Sequence, residues 1–351
     1  MNRTQRPEPQ RPRRSRRVPA GAQIAAPVLG ILCVVLAVLT AVFYLQNTYL
    51  KQEAEETRAE ASASVSELEQ ELQQTLDSTI PISEFKANAA SYNVSAEFIQ
   101  QFFDDVVVYK DETIVYAPID PELPKNSYDW SGLKRENGRF SYEPEGGVHA
   151  RLGIDVSRFQ GDIDWEKVAA DGIQFAMIRM GYRGYGSGDL VTDEAFHQNM
   201  EGALENGLQT GVYFFSQAIT EEEAIEEAEY LLAAIDGYDL RMPVVFDMEM
   251  VTESDTARAN SLTPQQRTAI TKAFCRRIEE AGYTAMIYGN PAWLLSKIQL
   301  KELTDYPVWL AQYYREPFFP YSFSIWQYTN TGRVDGISGS VDLNLCFVSG
   351  W

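Results

Sequence analysis

Asp247 and Glu249 stand two residues apart, straight after the apolar run Pro243-Val244-Val245-Phe246. Charged residues are rarely buried unless they are paired or functional. Val244 to Met250 reads as a strand, in which i and i+2 share a face, so the two carboxylates should project together near its C-terminal end. Asp155 in "GIDVS" and Asp342 in "VDLN" sit at the ends of other strand-like runs. Four carboxylates among aromatic residues suit cleavage of an acetal. That reaction needs an acid for the leaving oxygen and negative charge beside an oxocarbenium-like centre. Burial and neighbouring carboxylates keep such an acid neutral. Glu249 is the candidate acid. Asp247, expected to stay ionised, would support the positive centre or orient the substrate.

Sugars stack their C–H faces on aromatic rings and offer hydroxyls to amides. Tyr182, Tyr213, Phe215, Tyr288, Trp309 and Tyr313 are the candidate aromatic contacts, and Gln312 and Gln327 the amide ones. Trp326 is placed in the cleft with them, whereas Phe175 and Phe246 read as core. The bland readings are specific too. A lone D-x-E recurs by chance in an acidic chain. A carboxylate cluster can also hold Mg²⁺ or Ca²⁺. The only histidines, His149 and His197, form no ligand-spaced motif, which argues against zinc, and the expectation is no metal and no cofactor. His197 and the acidic run Glu221–Glu229, capped by Thr220, read as solvated helix faces.

Strand-like and helix-like runs alternate from Val148 onward. "RLGIDVS" precedes "DWEKVAADG", "QFAMIRMGY" precedes "DEAFHQNMEGALENG", "TGVYFFS" precedes "TEEEAIEEAEYLLAAIDG", and "MPVVFDMEM" precedes "TPQQRTAITKAFCRRIEEAG". "TAMIYGN", "PVWLAQY", "SIWQYT" and "SVDLNLCFV" follow with short helices or none. This predicts an α/β fold, an irregular (β/α) TIM-like barrel over 148–351. Active sites of such barrels sit at the C-terminal ends of the strands, where the polar residues above fall.

Charge divides the 351 residues. Residues 1–49 carry seven arginines and one acid, so a chain of net charge −20 holds −26 beyond them. Such a balance argues against a phosphate-backbone partner, which needs clustered Lys and Arg, so no nucleic-acid partner is expected. Residues 24–45 hold no charge over 22 positions, enough to span a bilayer. No small-residue cleavage site follows, so an uncleaved transmembrane anchor is expected. The basic tail 1–23 would be cytoplasmic and the acidic body outside. Residues 46–79 read as a helical stalk. Residues 80–147 read as a small α+β module, with a capped helix at Ser95–Phe103, a hairpin around Lys110–Glu112 and a loop-rich remainder. The stalk or this module could engage envelope machinery. Cys275 and Cys346 could bridge or stay as buried thiols.

Taken together, "GIDVSRFQGDIDWEKV", "GVYFF", "PVVFDMEM", "VWLAQY", "WQYT" and "VDLN" resemble family 25 of the glycoside hydrolases, the Chalaropsis-type lysozymes, from about residue 152 to 351. The resemblance implies a flattened, irregular barrel. It also implies cleavage of the β-1,4 bond between N-acetylmuramic acid and N-acetylglucosamine in peptidoglycan. The family's catalytic Asp-x-Glu matches Asp247 and Glu249, with Glu249 as proton donor, and its first- and last-strand aspartates match Asp155 and Asp342. Its third-strand segment is often Tyr-His-Phe-like, whereas Phe214 stands here and leaves Tyr213 to face the cleft. A carboxylate pair one residue apart resembles substrate-assisted enzymes with retention; an inverting route with an aspartate base stays open. The rival functions are a non-catalytic peptidoglycan-binding scaffold on the membrane and a hydrolase of another N-acetylated glycan.

Overall fold

The computed structural model describes residues 85–87, 89, 94–252 and 254–351. The basic tail, the 24–45 span and the 46–79 stalk lie outside these. Among the described residues no helix is long and apolar enough to cross a membrane. Residues Ser95–Trp351 form one compact unit.

That unit opens with helix α1 (Ala96–Gln100), whose first turn is capped by the Ser95 side chain accepting from the Phe98 N–H. Strands β1 (Val106–Lys110) and β2 (Ile114–Pro118) form the expected antiparallel hairpin. The buried Gln100 amide ties them to α1, donating to the Phe103 and Val106 carbonyls and accepting from the Val108 N–H. The segment read as loop-rich contains a second hairpin, β3 (Leu133–Glu136) and β4 (Arg139–Tyr142). Its turn is Asn137-Gly138, both at positive φ (51° and 84°), the conformation that a two-residue hairpin requires.

The barrel strands follow: β5 (Arg151–Val156), β6 (Phe175–Arg183), β7 (Leu190–Thr192), β8 (Gln209–Phe215), β9 (Val244–Asp247), β10 (Ala285–Gly289), β11 (Val308–Ala311), β12 (Ile325–Gly332) and β13 (Val341–Cys346). They pair in the order β5-β13-β12-β11-β10-β9-β8-β6, and β5 also pairs with β6, which closes an eight-stranded ring; β7 is a flap on β6. Crossover helices α2 (Trp165–Ala170), α3 (Phe196–Glu205), α4 (Glu221–Ile235) and α5 (Pro264–Glu280) connect the first half. Beyond β10 only short turns of helix remain, Trp293–Lys297 and Leu300–Glu302. The ring departs from a repeating (β/α) barrel in one further respect. β13 runs antiparallel to both neighbours, β12 and β5.

Side chains alternate across the ring. Val212 and Phe214, Val244 and Phe246, and Ile287 and Leu310 face outward and join the core against the helices. Phe175, Met177, Val245, Met286, Trp309 and Ile325 point inward and fill the barrel. Gly153 is required inside, because a Cβ there would lie 2.3 Å from the Phe175 ring. The outer core also takes in aromatics from before the barrel. Tyr128 meets Phe347 with ring centroids 4.4 Å apart, and Phe140 meets Trp326 at 5.2 Å. The Tyr128 hydroxyl donates to the Phe323 carbonyl.

Cys275 and Cys346 are free, buried thiols. Thr220 caps α4 as expected. The acidic run behind it is not all solvated, however. Glu227 is fully buried and accepts from the Arg183 guanidinium at 2.7 Å. His197 lies on an exposed helix face against the Tyr238 hydroxyl.

Candidate active site

The ladder of β9 stops at Asp247, three residues before the expected end, because the chain then leaves the sheet towards the turn at Arg258–Ser261. Alternation nevertheless persists: Met248 is buried in the outer core, while Asp247 and Glu249 both line a cavity of about 620 Å³ at the mouth of the barrel. Asp155, at the C-terminal end of β5, lines the same cavity. So does Asp342, near the start of β13. Asp342 reaches this rim because β13 is antiparallel, and it is registered directly against Asp155.

Tyr182, Tyr213, Phe215, Tyr288, Trp309, Tyr313 and Gln327 also line the cavity. Two expected contacts do not. Gln312 follows Ala311 and alternates away; its side chain accepts from the Phe318 N–H, so it organises the following loop. Trp326 sits beside the inward Gln327 and therefore points out, fully buried under Phe140.

A hydrogen-bond chain fixes the inner wall. The Tyr288 and Tyr313 hydroxyls both donate to Gln327 Oε1, at 3.0 and 2.7 Å. That orients the Gln327 amide to donate to Asp155 Oδ2 at 2.9 Å. Asn344, held by the Trp309 indole N–H, donates to the same oxygen at 2.7 Å. Burial outweighs these donors and raises Asp155 above the ordinary aspartate range. Asp342 is pushed up to about 8 by burial and by the charge of Asp155. The two carboxylates therefore hold a proton between them near neutral pH.

Asp247 is also raised well above its ordinary value, first by burial, then by the charges of Glu249 and Asp155, with the Arg179 guanidinium opposing. The site thus makes ionised Asp247 more costly than an ordinary aspartate, a cost that the sequence does not record. Its Oδ1 is buried and has no hydrogen-bond partner among the described residues. Burial likewise keeps the Tyr213 and Tyr288 phenols neutral.

Sequence reasoning missed a cationic edge. Arg179 points inward two residues after Met177, and its guanidinium is held by Asp193 at 2.7 Å. Phe159 is 72% exposed on the rim, and the Arg179 and Arg158 guanidiniums lie 5.0 and 5.2 Å from its ring centroid. Alternation along β6 signals Arg179, but a register shift between Arg179 and Gly181 then re-phases the strand and turns Tyr182 into the cavity. Asn344 could have been found as the residue two after Asp342. Among the described residues, no group of three or more His, Cys, Asp or Glu is arranged to hold a metal ion.

Comparison with known proteins agrees with this geometry. The profile of the glycosyl hydrolases family 25 matches residues 154–337. An uncharacterized protein of Escherichia coli O157:H7, YegX, is 31% identical over 202 residues, which cover 55% of this chain and 68% of that protein. A bacterial lysozyme from Streptomyces coelicolor superposes with a TM-score of 0.50 and 28% identity, covering 58% of this chain and 93% of that one. The modular autolysin LytC from Streptococcus pneumoniae has a TM-score of 0.51 at 20% identity, over 69% of this chain and 57% of that one. With the barrel, the carboxylate cleft and the matched segment coinciding, the chain belongs to family 25 of the glycosyl hydrolases.

Proposed function

We propose that the chain is a muramidase, cleaving the β-1,4 bond between N-acetylmuramic acid and N-acetylglucosamine in peptidoglycan. Glu249 acts as general acid and Asp247 assists it. The observation that carries this reading is the pair itself, two carboxylates facing one aromatic cavity, with Asp247 Oδ1 unpartnered. An N-acetyl sugar supplies the donor that this oxygen lacks, its acetamido N–H. Accepting that bond stabilises ionised Asp247 against the burial and neighbouring charges that raise it, and leaves Glu249 to carry the proton. Glu249 then protonates the glycosidic oxygen as the bond breaks. The acetamido oxygen, oriented through its N–H, attacks the anomeric carbon, and ionised Asp247 supports the resulting cation. Water then attacks the anomeric carbon, giving a proton to the now ionised Glu249 and breaking the bond to the acetamido oxygen, with net retention. The similarity to a lysozyme from Streptomyces coelicolor supports the substrate class.

Residues 24–45 form the proposed membrane anchor, with the N-terminus cytoplasmic and the barrel outside. A helical stalk over 46–79 would hold cleavage within roughly 50 Å of the bilayer. The stalk or the segment before the barrel is the proposed contact for envelope machinery.

Purified peptidoglycan, digested by wild type and by Glu249→Gln and analysed by mass spectrometry after borohydride reduction, tests the reading. Reduced muramic acid ends from wild type alone are expected. Reduced glucosamine ends would assign the opposite bond, and equal release by both proteins would remove Glu249 as acid. Proton NMR of fresh product checks the route, since first appearance of the inverted anomer would exclude the acetamido attack.

A further inference from the structure

The cleft does not end at the carboxylates. Tyr313 and Asn330 are shared with a neighbouring pocket of about 300 Å³. One wall of that pocket comes from α1 and the β3–β4 hairpin, through Glu97, Arg135 and Phe140, all outside the segment that matches the family. Arg315, in the loop after β11, lines it as well. Two guanidiniums on one small pocket invert the local charge of a strongly acidic body. Neither forms an ion pair among the described residues. Arg135 lies 5.3 Å from the Phe140 ring centroid, a stacked arrangement that orients its donors without consuming them. The single acid lining this pocket, Glu97, accepts from the Arg315 backbone N–H and so steadies the loop that carries the second guanidinium.

We propose that this pocket receives the acidic peptide branch of a peptidoglycan strand whose glycan lies in the cleft. The inference rests on the peptidoglycan reading above. In that polymer each muramic acid carries, on its lactyl ether, a short peptide with free carboxylates that leaves the strand sideways. Guanidinium forks match carboxylates in geometry and charge. Asn330 and the Thr329 and Thr331 hydroxyls beside them offer hydrogen bonds to peptide amides. Tyr313 and Asn330 line both spaces, so the two lie side by side, as a branched ligand requires. The segment before the barrel is then a determinant of specificity: it selects strands that still bear peptides over stripped ones.

Binding by the full-length Glu249→Gln chain in detergent micelles tests this, because the ligand survives. The probes are the muropeptide disaccharide with its peptide and the same disaccharide freed of peptide by an amidase. The peptide-bearing form should bind about tenfold more tightly, as charge-assisted hydrogen bonds allow. Adding Arg135→Gln and Arg315→Gln should bring the ratio of the two affinities close to one at an unchanged melting temperature. The Lys replacements, which keep the charge, should restore part of it. A ratio near one in the parent, or a ratio that the double Gln replacement leaves intact, overturns the proposal. Hydrolysis by the Glu249 chain is measured separately. No muramidase product with the ratio intact would remove the proposed reaction and leave the pocket; muramidase product with a ratio of one would do the reverse.

Discussion

A proton shared by Asp155 and Asp342 has a measurable signature. Both carboxylates titrate above the ordinary aspartate value of 3.8, Asp342 at about 8. A group whose folded value is raised contributes stability that is full below its unfolded value and is lost as pH rises through the folded one. Melting temperature should therefore fall between about pH 4 and pH 8, and Asp342→Asn should flatten that slope. Parallel curves for the two proteins would show that the pair holds no such proton. At Glu249 the expectation is kinetic. Replacement by Gln removes the proposed acid and should lower kcat by about 10²–10⁴-fold with little change in KM. A comparable rise in KM with kcat unchanged would assign Glu249 to binding.

Strand alternation decides which side chain does which work. Trp309 and Gln327 face the cavity, whereas Trp326 faces Phe140 and Tyr328. Trp326→Ala should therefore cost about 3–5 kcal/mol of stability in denaturant unfolding while leaving KM within a few-fold. A stable variant with a large KM defect would place this ring in the cleft after all. The strands and crossover helices were legible because their periodicities differ, and the Asp-x-Glu pair because a buried apolar run rarely ends in two carboxylates without a task. Trp326 and Gln312 were misplaced by reading residue type instead of parity, since each neighbours an inward residue. The β3–β4 hairpin carried its Asn-Gly turn signal openly, but its short strands alternate weakly in a polar context. The Asp155–Asp342 juxtaposition was not legible, because the direction of the last strand depends on pairing across the whole ring. Nor was the raised state of Asp247, which follows from burial that no local pattern records.

At the scale of the molecule, the segment before the barrel is part of its packing. Tyr128, Trp130, Phe140 and Tyr142 cover Phe323, Trp326 and Phe347. A chain begun at residue 148 uncovers that aromatic face and should melt at least about 10 °C below one begun at Ser95, a difference that differential scanning calorimetry would resolve. Equal melting temperatures would make the seam a surface contact only.

The antiparallel closure of the ring has a temporal consequence. Asp155 and Asp342 meet only across β5 and β13, from opposite ends of the barrel sequence. Contacts so distant along the chain form late, after helices and local strand pairs. A nascent or partly refolded chain would then possess Asp247 and Glu249 in place but an unfinished charge environment around them. Catalytic competence would arrive as the last event of maturation, well after helical structure is complete.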